Sequence, residues 1–490
     1  MKINAQPNWL NTLSRESLNS LSMITDRVTV GNSEVLMTPF MAHRPDDTLR
    51  NVVESILSNC DLTPKLRQIE DDNLSKFGPR SIAKPWADRW ESLADYFHSD
   101  EPPRIGRNFN ELIEGSEFLR PTSIVTAAGK LISSSNSGLP YLKRKGMVES
   151  DAVSQVYKQL GEYPCVLFTR TAEQGKTRNV WGYPISDTLM ENTVLFPYLE
   201  KEKQFQWRAA LLGPDRTDDA MTLMLASKPK DSMVVCVDFS NYDASVSWDL
   251  IQRAFASIAG HFQRAEHPVF EALARRFASI PIWTPDGEWS GTHGVPSGSS
   301  FTNTVDSEVQ RLASGMCNSL HQIQGDDGVY IIPKEKVSGL YANFEKAGLR
   351  INQEKSEEFE DDQAVYLQRY YHQNYRSKSG GLGGVYSVAR AVNRIKYLES
   401  WTNLDKLGLE GSDFFALRAI MILENCKHHP GFVELVHYVE GWDRNGLDFS
   451  SEGLKAYSSA LQSKARAGIF NQSDLREGLN DFETVKLLRS

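Results

Sequence analysis

Apolar residues cluster along this chain in short runs separated by turn-forming residues, and the runs have two different periods. Residues 232–239, SMVVCVDF, are near-continuously apolar and end in Asp238. That pattern predicts a buried central strand. LHQIQ (320–324) and GVYIIP (328–333) predict two further strands, with Gly325-Asp326-Asp327 between them as a hairpin turn. Residues 163–184, YPCVLFTRTAEQGKTRNVWGYP, read as strand, basic loop, strand. The helical period appears in SWDLIQRAFASIAGHF, with Ser247 as N-cap, and in FTNTVDSEVQRLASGM, which follows the loop GTHGVPSGSS. From about 390 onward the pattern is mostly helical, with breaks at GLEGSD, HHPGF and DRNGLD. Residues 1 to about 110 mix helical patterning with loops such as HRPDDT and SDEPPR and carry no recognisable motif. The pattern predicts a mixed α+β fold.

The length, 490 residues, exceeds one small core and predicts several subdomains or one large composite domain. No run of about 18 apolar residues is present, so no transmembrane helix is expected. The first residues lack an apolar h-region, so no secretory signal is expected. The five cysteines, Cys60, Cys165, Cys236, Cys317 and Cys426, form no C-x-x-C pair and suit neither zinc nor a disulfide framework. A reducing, intracellular compartment is expected. The pair His428-His429 beside Pro430 reads as a solvated loop. The net charge of −9 argues against an indiscriminate nucleic-acid binder. It leaves open an enzyme that encloses nucleic acid in a locally basic channel.

Adjacent carboxylates at a turn are electrostatically costly unless a cation neutralises them. Alone, GDD is also a plain solvated turn, expected by chance in on the order of one chain in ten. Its company changes that reading. Asp238 ends a buried strand, and Asp243 lies five residues on, across the strand-to-helix turn. If the two strands are antiparallel neighbours, Asp238, Asp326 and Asp327 come close enough to hold two magnesium ions. Magnesium prefers oxygen ligands and completes its octahedron with substrate phosphates. The loop from Gly294 to Thr302 combines glycines with Ser297, Ser299 and Ser300. It reads as a cradle for phosphate or ribose, or as a simple helix cap. Thr302 and Asp306, four apart, share a helix face. Arg170, Lys176 and Arg178 read as a triphosphate-binding arm or as a solvated basic loop.

In this order the pieces resemble the motif set of a viral RNA-dependent RNA polymerase. RTAEQGKTR looks like motif F, DFSNYD like motif A, GVPSGSSFT like motif B and GDD like motif C. SSSNSGLPY resembles the template-guiding motif G, Lys355 in INQEKSE sits where motif D carries its general-acid lysine, and VYLQRYYH resembles the motif E hairpin. The wording GVPSGSSFT…VDS and RAVNRIKYLES is most similar to the compact polymerases of partitiviruses and picobirnaviruses, whose genomes are double-stranded RNA. The resemblance spans about residues 120–400. One departure is Asp306, where many positive-strand virus polymerases carry Asn. Two ionised carboxylates at 243 and 306 would repel.

The resemblance implies a right-hand fold of fingers, palm and thumb, its antiparallel palm sheet flanked by helices. Residues 1–110 would bridge fingers and thumb. Residues 111–231, with 259–285 inserted, would form the fingers; 232–258 and 286–375 the palm; 376–490 the thumb. It implies RNA-directed RNA synthesis from nucleoside triphosphates, with two Mg2+ ions, replaceable by Mn2+, on Asp238, Asp326 and Asp327, and Lys355 as proton donor. Arg170, Lys176, Arg178, Asp243, Ser297, Gly298, Thr302 and Asp306 would bind nucleotide. Ser135, Asn136, Ser137, Gly138, Tyr141, Lys143, Arg144, Lys145, Gln368 and Arg369 would meet template or primer RNA. Capsid protein would be a partner, and the host cytoplasm, inside a virion or replication particle, the location. The competing readings are a reverse transcriptase, a non-catalytic RNA-binding palm relic and a nucleotidyl cyclase. An aromatic steric gate is absent at Asp243, and the three acids are all present. The basic arm and the SG loop have no obvious role in a cyclase.

Overall fold

The computed structural model describes residues 1–103, 109–405, 408–466 and 479–490, with the side chains of 460–466 excepted. Among these, the apolar run at 232–237 forms the strand Ser232–Val237, at an inner position of a four-stranded antiparallel sheet. Its neighbours are Glu357–Phe359 on one side and Asp327–Pro333 on the other, and Leu320–Gln324 forms the far edge. Val234 and Val235 are fully buried because both faces of this strand are covered, which explains the missing polar alternation.

One face is covered by the helices Trp248–Ala259, Thr302–Ser314 and Val337–Lys346, in a core that includes Phe255, Phe301, Val305, Tyr330 and Phe344. Ser247 caps the first of these by accepting a bond from the Leu250 amide, as its position predicts. The other face is covered by the helix Pro214–Ala226 and the three-stranded sheet of Ala364–Tyr366, Arg369–Tyr371 and Val385–Tyr386.

The basic segment at 163–184 is a hairpin of Cys165–Thr171 and Thr177–Gly182. It belongs to a five-stranded sheet completed by Ile282–Thr284, Gly287–Ser290 and Lys2–Asn4. The C-terminal region is helical where the pattern predicts, over Val388–Lys396, Gly411–Leu423, Phe432–Trp442, Ser451–Arg466 and Glu483–Leu488.

The first hundred residues touch both of these regions. Val28, Trp86 and Leu93 pack with Trp181 and Trp289 of the five-stranded sheet. Leu49, Val53, Ile56, Leu57 and Leu74 pack among the C-terminal helices. Fully buried Glu70 accepts bonds from Ser387 Oγ and from the amides of Val388 and Ala389. A carboxylate thus satisfies the open N-terminus of helix Val388–Lys396 and its partial positive charge. Among the described residues no helix is long and apolar enough to cross a membrane.

Candidate active site

Two strand ends bring the central carboxylates together. Gly328 pairs with Val237, so Asp327 and Asp238 are neighbours one register step beyond. The hairpin turn is shorter than its sequence suggests. Asp327 pairs with Gln324 as the first residue of its strand, leaving Gly325-Asp326 as a two-residue loop. Positive φ falls on Gly325 (+70°) but not on Asp326, the pattern of a type II′ turn, which needs Gly first. Ser307 Oγ accepts the Gly325 amide at 2.8 Å, and Gln310 donates to the Asp326 carbonyl at 2.9 Å. On the other strand, Asp238 donates its amide to Ser356 Oγ and accepts the Asn352 amide at its carbonyl.

Burial, followed by the charges of Asp326 and Asp238, pushes the Asp327 carboxyl up to about 7. Burial also raises Asp238, with Asp326 adding to it and Lys355 and Lys176 opposing. Three oxygen-donor acids that repel one another suit a hard divalent cation. They do not yet surround one: among the described residues no three Asp, Glu, His or Cys side chains converge as metal ligands. The reason is local. Asp326 is exposed at the turn tip, while Asp327, in the strand, turns inward.

Three cations, Lys176, Lys355 and Arg178, lie within electrostatic reach of these acids. Lys176 feels the charges of Asp238 and Asp326, and Lys355 those of Asp238 and Lys176. Arg178 faces Asp243. Arg170, its cross-strand partner, instead reaches Glu399 at 3.8 Å. All four cations are exposed.

The serine-glycine loop is locked onto the basic hairpin. A Cβ on Gly298 would stand 1.6 Å from the Trp181 carbonyl oxygen, so only glycine fits. Ser297 Oγ accepts the Trp181 amide at 3.3 Å. Buried Glu191 accepts Ser299 Oγ and the Ser300 amide, and burial lifts its carboxyl to about 7. Thr302 Oγ1 donates within the loop, to the carbonyls of Pro296 and Ser299. Asp306 is buried on the following helix, and its Oδ1 has no hydrogen-bond partner. Burial raises both Asp243 and Asp306, and the charge of Asp243 adds to the rise of Asp306. A shared proton is how such a pair avoids mutual repulsion. Tyr96, from the N-terminal region, also faces both acids.

The residues expected at RNA divide. Asn136 is exposed, and Ser135 and Arg144 are half-buried. Gly138 is buried with φ +62° against the Tyr183 carbonyl. Ser137 is fully buried and accepts the Lys143 amide, so its assignment to RNA is corrected. The Tyr141 hydroxyl donates to Asp151, and Lys143 pairs with Glu16. Burial lowers Lys145 to about 8. Gln368 is exposed in a two-residue turn with Leu367, both at positive φ. Arg369 is buried, donating to the Gly384 carbonyl and Asn425. It holds the hairpin to the helical region, and its assignment to RNA is corrected too.

Sequence reading missed Arg208. Its guanidinium is wholly buried and ion-paired to Glu202 at 2.8 Å. It also donates to Ser307 Oγ, the Ile323 carbonyl, Gln324 Oε1 and Asn303 Oδ1. One cation thus ties the helix after the serine-glycine loop to the strand before Gly325-Asp326. The only signal was an arginine inside the apolar stretch FQWRAALL.

A central antiparallel sheet with acids at its adjoining strand ends, faced by a basic hairpin and a glycine-serine loop, is the frame of a template-directed nucleotidyl transferase. The family model described as viral RNA-dependent RNA polymerase matches residues 109–429. The chain belongs to that family: it is a viral RNA-directed RNA polymerase with the right-hand fold. It is 28% identical, over 87% of its length and 86% of the relative's, to the potential RNA-dependent RNA polymerase of Human picobirnavirus (strain Human/Thailand/Hy005102/-). It is 26% identical to the RNA-directed RNA polymerase of Cryptosporidium parvum virus 1 (strain KSU-1), over 40% of each. The crystal structure of a human picobirnavirus RNA-dependent RNA polymerase has the same fold. It superposes with a TM-score of 0.81 over 99% of both chains at 24% identity, as does its insertion-loop deletion mutant.

Proposed function

We propose that this polymerase copies viral RNA by two-metal-ion nucleotidyl transfer, serving replication and transcription of a double-stranded RNA genome. The observation that carries the reading is the electrostatic meeting of Asp238, Asp326 and Asp327 with Lys176 and Lys355. Asp238 and Asp326, with Asp327 in support, would hold two Mg2+ ions, for which Mn2+ can substitute, and these would supply activation of the primer hydroxyl and neutralisation of the pyrophosphate. Lys176 and Arg178 pair with the incoming triphosphate and orient its α-phosphate. Lys355 donates a proton to the departing pyrophosphate. Asp243, with Asp306 behind it and Thr302 beside it, accepts the ribose 2′-hydroxyl, and Ser297 and Gly298 shape the floor beneath. A deoxynucleotide leaves that acceptor unpaired.

Template RNA passes Ser135, Asn136, Gly138 and Tyr141, with Lys143, Arg144 and Lys145 on its phosphates and Gln368 near the primer end. Contacts go to backbone and shape, since base pairing reads the sequence. The division into fingers, palm and thumb follows the boundaries given above, and residues 1–110 bridge fingers and thumb. That bridge is supported by the two cores that the N-terminal residues enter. A double-stranded genome, a capsid partner and a place in the host cytoplasm inside a particle complete this reading.

A primer-extension assay on an RNA template, run with NTPs and with dNTPs, tests the reading. Asp326→Asn is expected to lose nearly all nucleotide addition while keeping its melting temperature. A normal rate in that variant overturns the metal assignment.

A further inference from the structure

The segment RAVNRIKYLES, distinctive in sequence, has no part in the chemistry above. It lines a separate, solvent-open cavity of about 280 Å³ between the basic hairpin, the N-terminal region and the C-terminal helices. Arg80, Arg170, Arg394 and Arg418 project into its wall, with Glu399, Trp401 and Phe415.

The charge there is unbalanced. Glu399 is shared between Arg80 at 2.5 Å and Arg170 at 3.8 Å, and Glu173 pairs with Arg80 at 3.0 Å. Arg394 donates to the Tyr386 hydroxyl, and its buried Nε has no partner. Among the described residues, Arg418 donates to the carbonyls of Ile395 and Arg394. Arg390 adds a further cation on the side of Glu173. Among the described residues, four guanidinium groups and one carboxylate, Glu399, line the cavity, in a protein of net charge −9. Burial lowers the pKa of both Arg80 and Arg418; Glu173 and Glu399 oppose this at Arg80 more strongly than Arg394 and Arg390 add to it, while Arg80 and Arg394 add to it at Arg418. An anion would relieve this repulsion. Guanidinium forks match phosphate oxygens in pairs.

Trp401 supplies the second half of a nucleotide site. Its side chain is 56% exposed at the rim, and its ring is steadied by Phe415, centroids 5.9 Å apart. An exposed indole beside a cluster of arginines is a stacking surface for a base whose phosphates sit on the cations.

We propose that this cavity is a second nucleotide site, apart from the carboxylate centre, that binds a 5′-triphosphate on Arg80, Arg170, Arg394 and Arg418 and stacks the attached base on Trp401. The triphosphate belongs either to a free nucleoside triphosphate or to the 5′ end of an RNA. The site requires that the chain use nucleotides, not that Asp238 and Asp326 hold metal. Arg170 and Arg178 are cross-strand partners on one face of the basic hairpin, which links the cavity to the ribose end of the centre.

Hydrogen exchange on the full chain in EDTA tests it, read at peptides covering 398–402 and 414–418. The probes are inorganic tripolyphosphate, GTP, ATP, and one RNA oligonucleotide carrying either a 5′-triphosphate or a 5′-hydroxyl. Tripolyphosphate and at least one triphosphorylated nucleotide or RNA are expected to protect both peptides, equally in the wild type and in Asp326→Asn. Arg394→Gln should weaken every probe at least tenfold. Trp401→Ala, at an exposed position that folding does not need, should weaken nucleotide or RNA about fivefold and leave tripolyphosphate unchanged. Tighter protection by 5′-triphosphate RNA than by GTP or ATP identifies an RNA end as the occupant, and the reverse identifies free nucleotide. The proposal is overturned if tripolyphosphate protects neither peptide. It is overturned equally if protection vanishes in Asp326→Asn, or if Trp401→Ala binds nucleotide and RNA as the wild type does.

Discussion

Arg208 offers the sharpest test of how the catalytic turn is held. Its guanidinium serves five acceptors: Glu202, Ser307 Oγ, Ile323 O, Gln324 Oε1 and Asn303 Oδ1, at 2.6–2.9 Å. Arg208→Lys keeps the charge but offers three donors on one nitrogen, so at least two buried acceptors lose their partner. Each such loss costs about 1–3 kcal/mol, giving about 2–6 kcal/mol in all. Unfolding a chain of this length releases about 1 kcal/mol per kelvin of entropy, so the melting temperature should fall by about 2–6 °C. The effect on catalysis should be larger than this loss implies. Ser307 holds the Gly325 amide, and Gln324 immediately precedes the turn, so loosening the guanidinium frees the Asp326 carboxylate. A misplacement of about 1 Å at a reacting centre can lower rate by about a hundredfold. Single-nucleotide addition by Arg208→Lys, measured well below its melting point, should show kcat at least tenfold down and KM for NTP little changed. Melting within 1 °C of wild type together with kcat within twofold would refute the positioning role.

Three further outcomes follow from the same geometry. Gly298→Ala places a Cβ 1.6 Å from the Trp181 carbonyl, so the loop must move off the basic hairpin; the expected loss is about 3 kcal/mol or more, with little nucleotide addition left, checked by calorimetry and primer extension. Glu191, held near 7 against an ordinary 4.5 by burial, binds a proton in the folded chain that the unfolded chain releases. Its contribution to stability is therefore complete below about pH 4.5 and is lost as pH rises through about 7, a change of about 3 kcal/mol; Glu191→Gln should flatten the unfolding free energy across that window, and an unaltered slope would show the proton is held elsewhere. Lys355→Leu should slow catalysis at least tenfold with little loss of RNA affinity, measured by single-turnover kinetics beside a filter-binding titration, and a wild-type rate removes it from proton transfer.

Much of the site was legible because its chemistry is local. The strand ending at Asp238, the Gly325-Asp326 turn, the Ser247 cap and the basic hairpin each follow from a short run of residues whose period and turn chemistry allow one conformation. The misreadings came where a side chain's direction depends on distant packing. Ser137 and Arg369 stand among polar residues that look exposed, yet Ser137 is closed under Lys143 and Arg369 reaches Asn425, 56 residues on. Asp327 looks like its neighbour Asp326 in sequence, but strand pairing begins between them and turns one inward.

Sequence by itself determined the elements, their order and the identity of the acids and bases, because backbone period, capping and turn preference act within a few residues. Only the tertiary structure decided which of these meet. The register of Asp327–Pro333 on Ser232–Val237, the Arg208 hub and the arginine cavity under Trp401 each join segments tens to hundreds of residues apart. Contacts of that kind are set by how buried faces and buried charges find partners across the whole fold, and no local pattern encodes them.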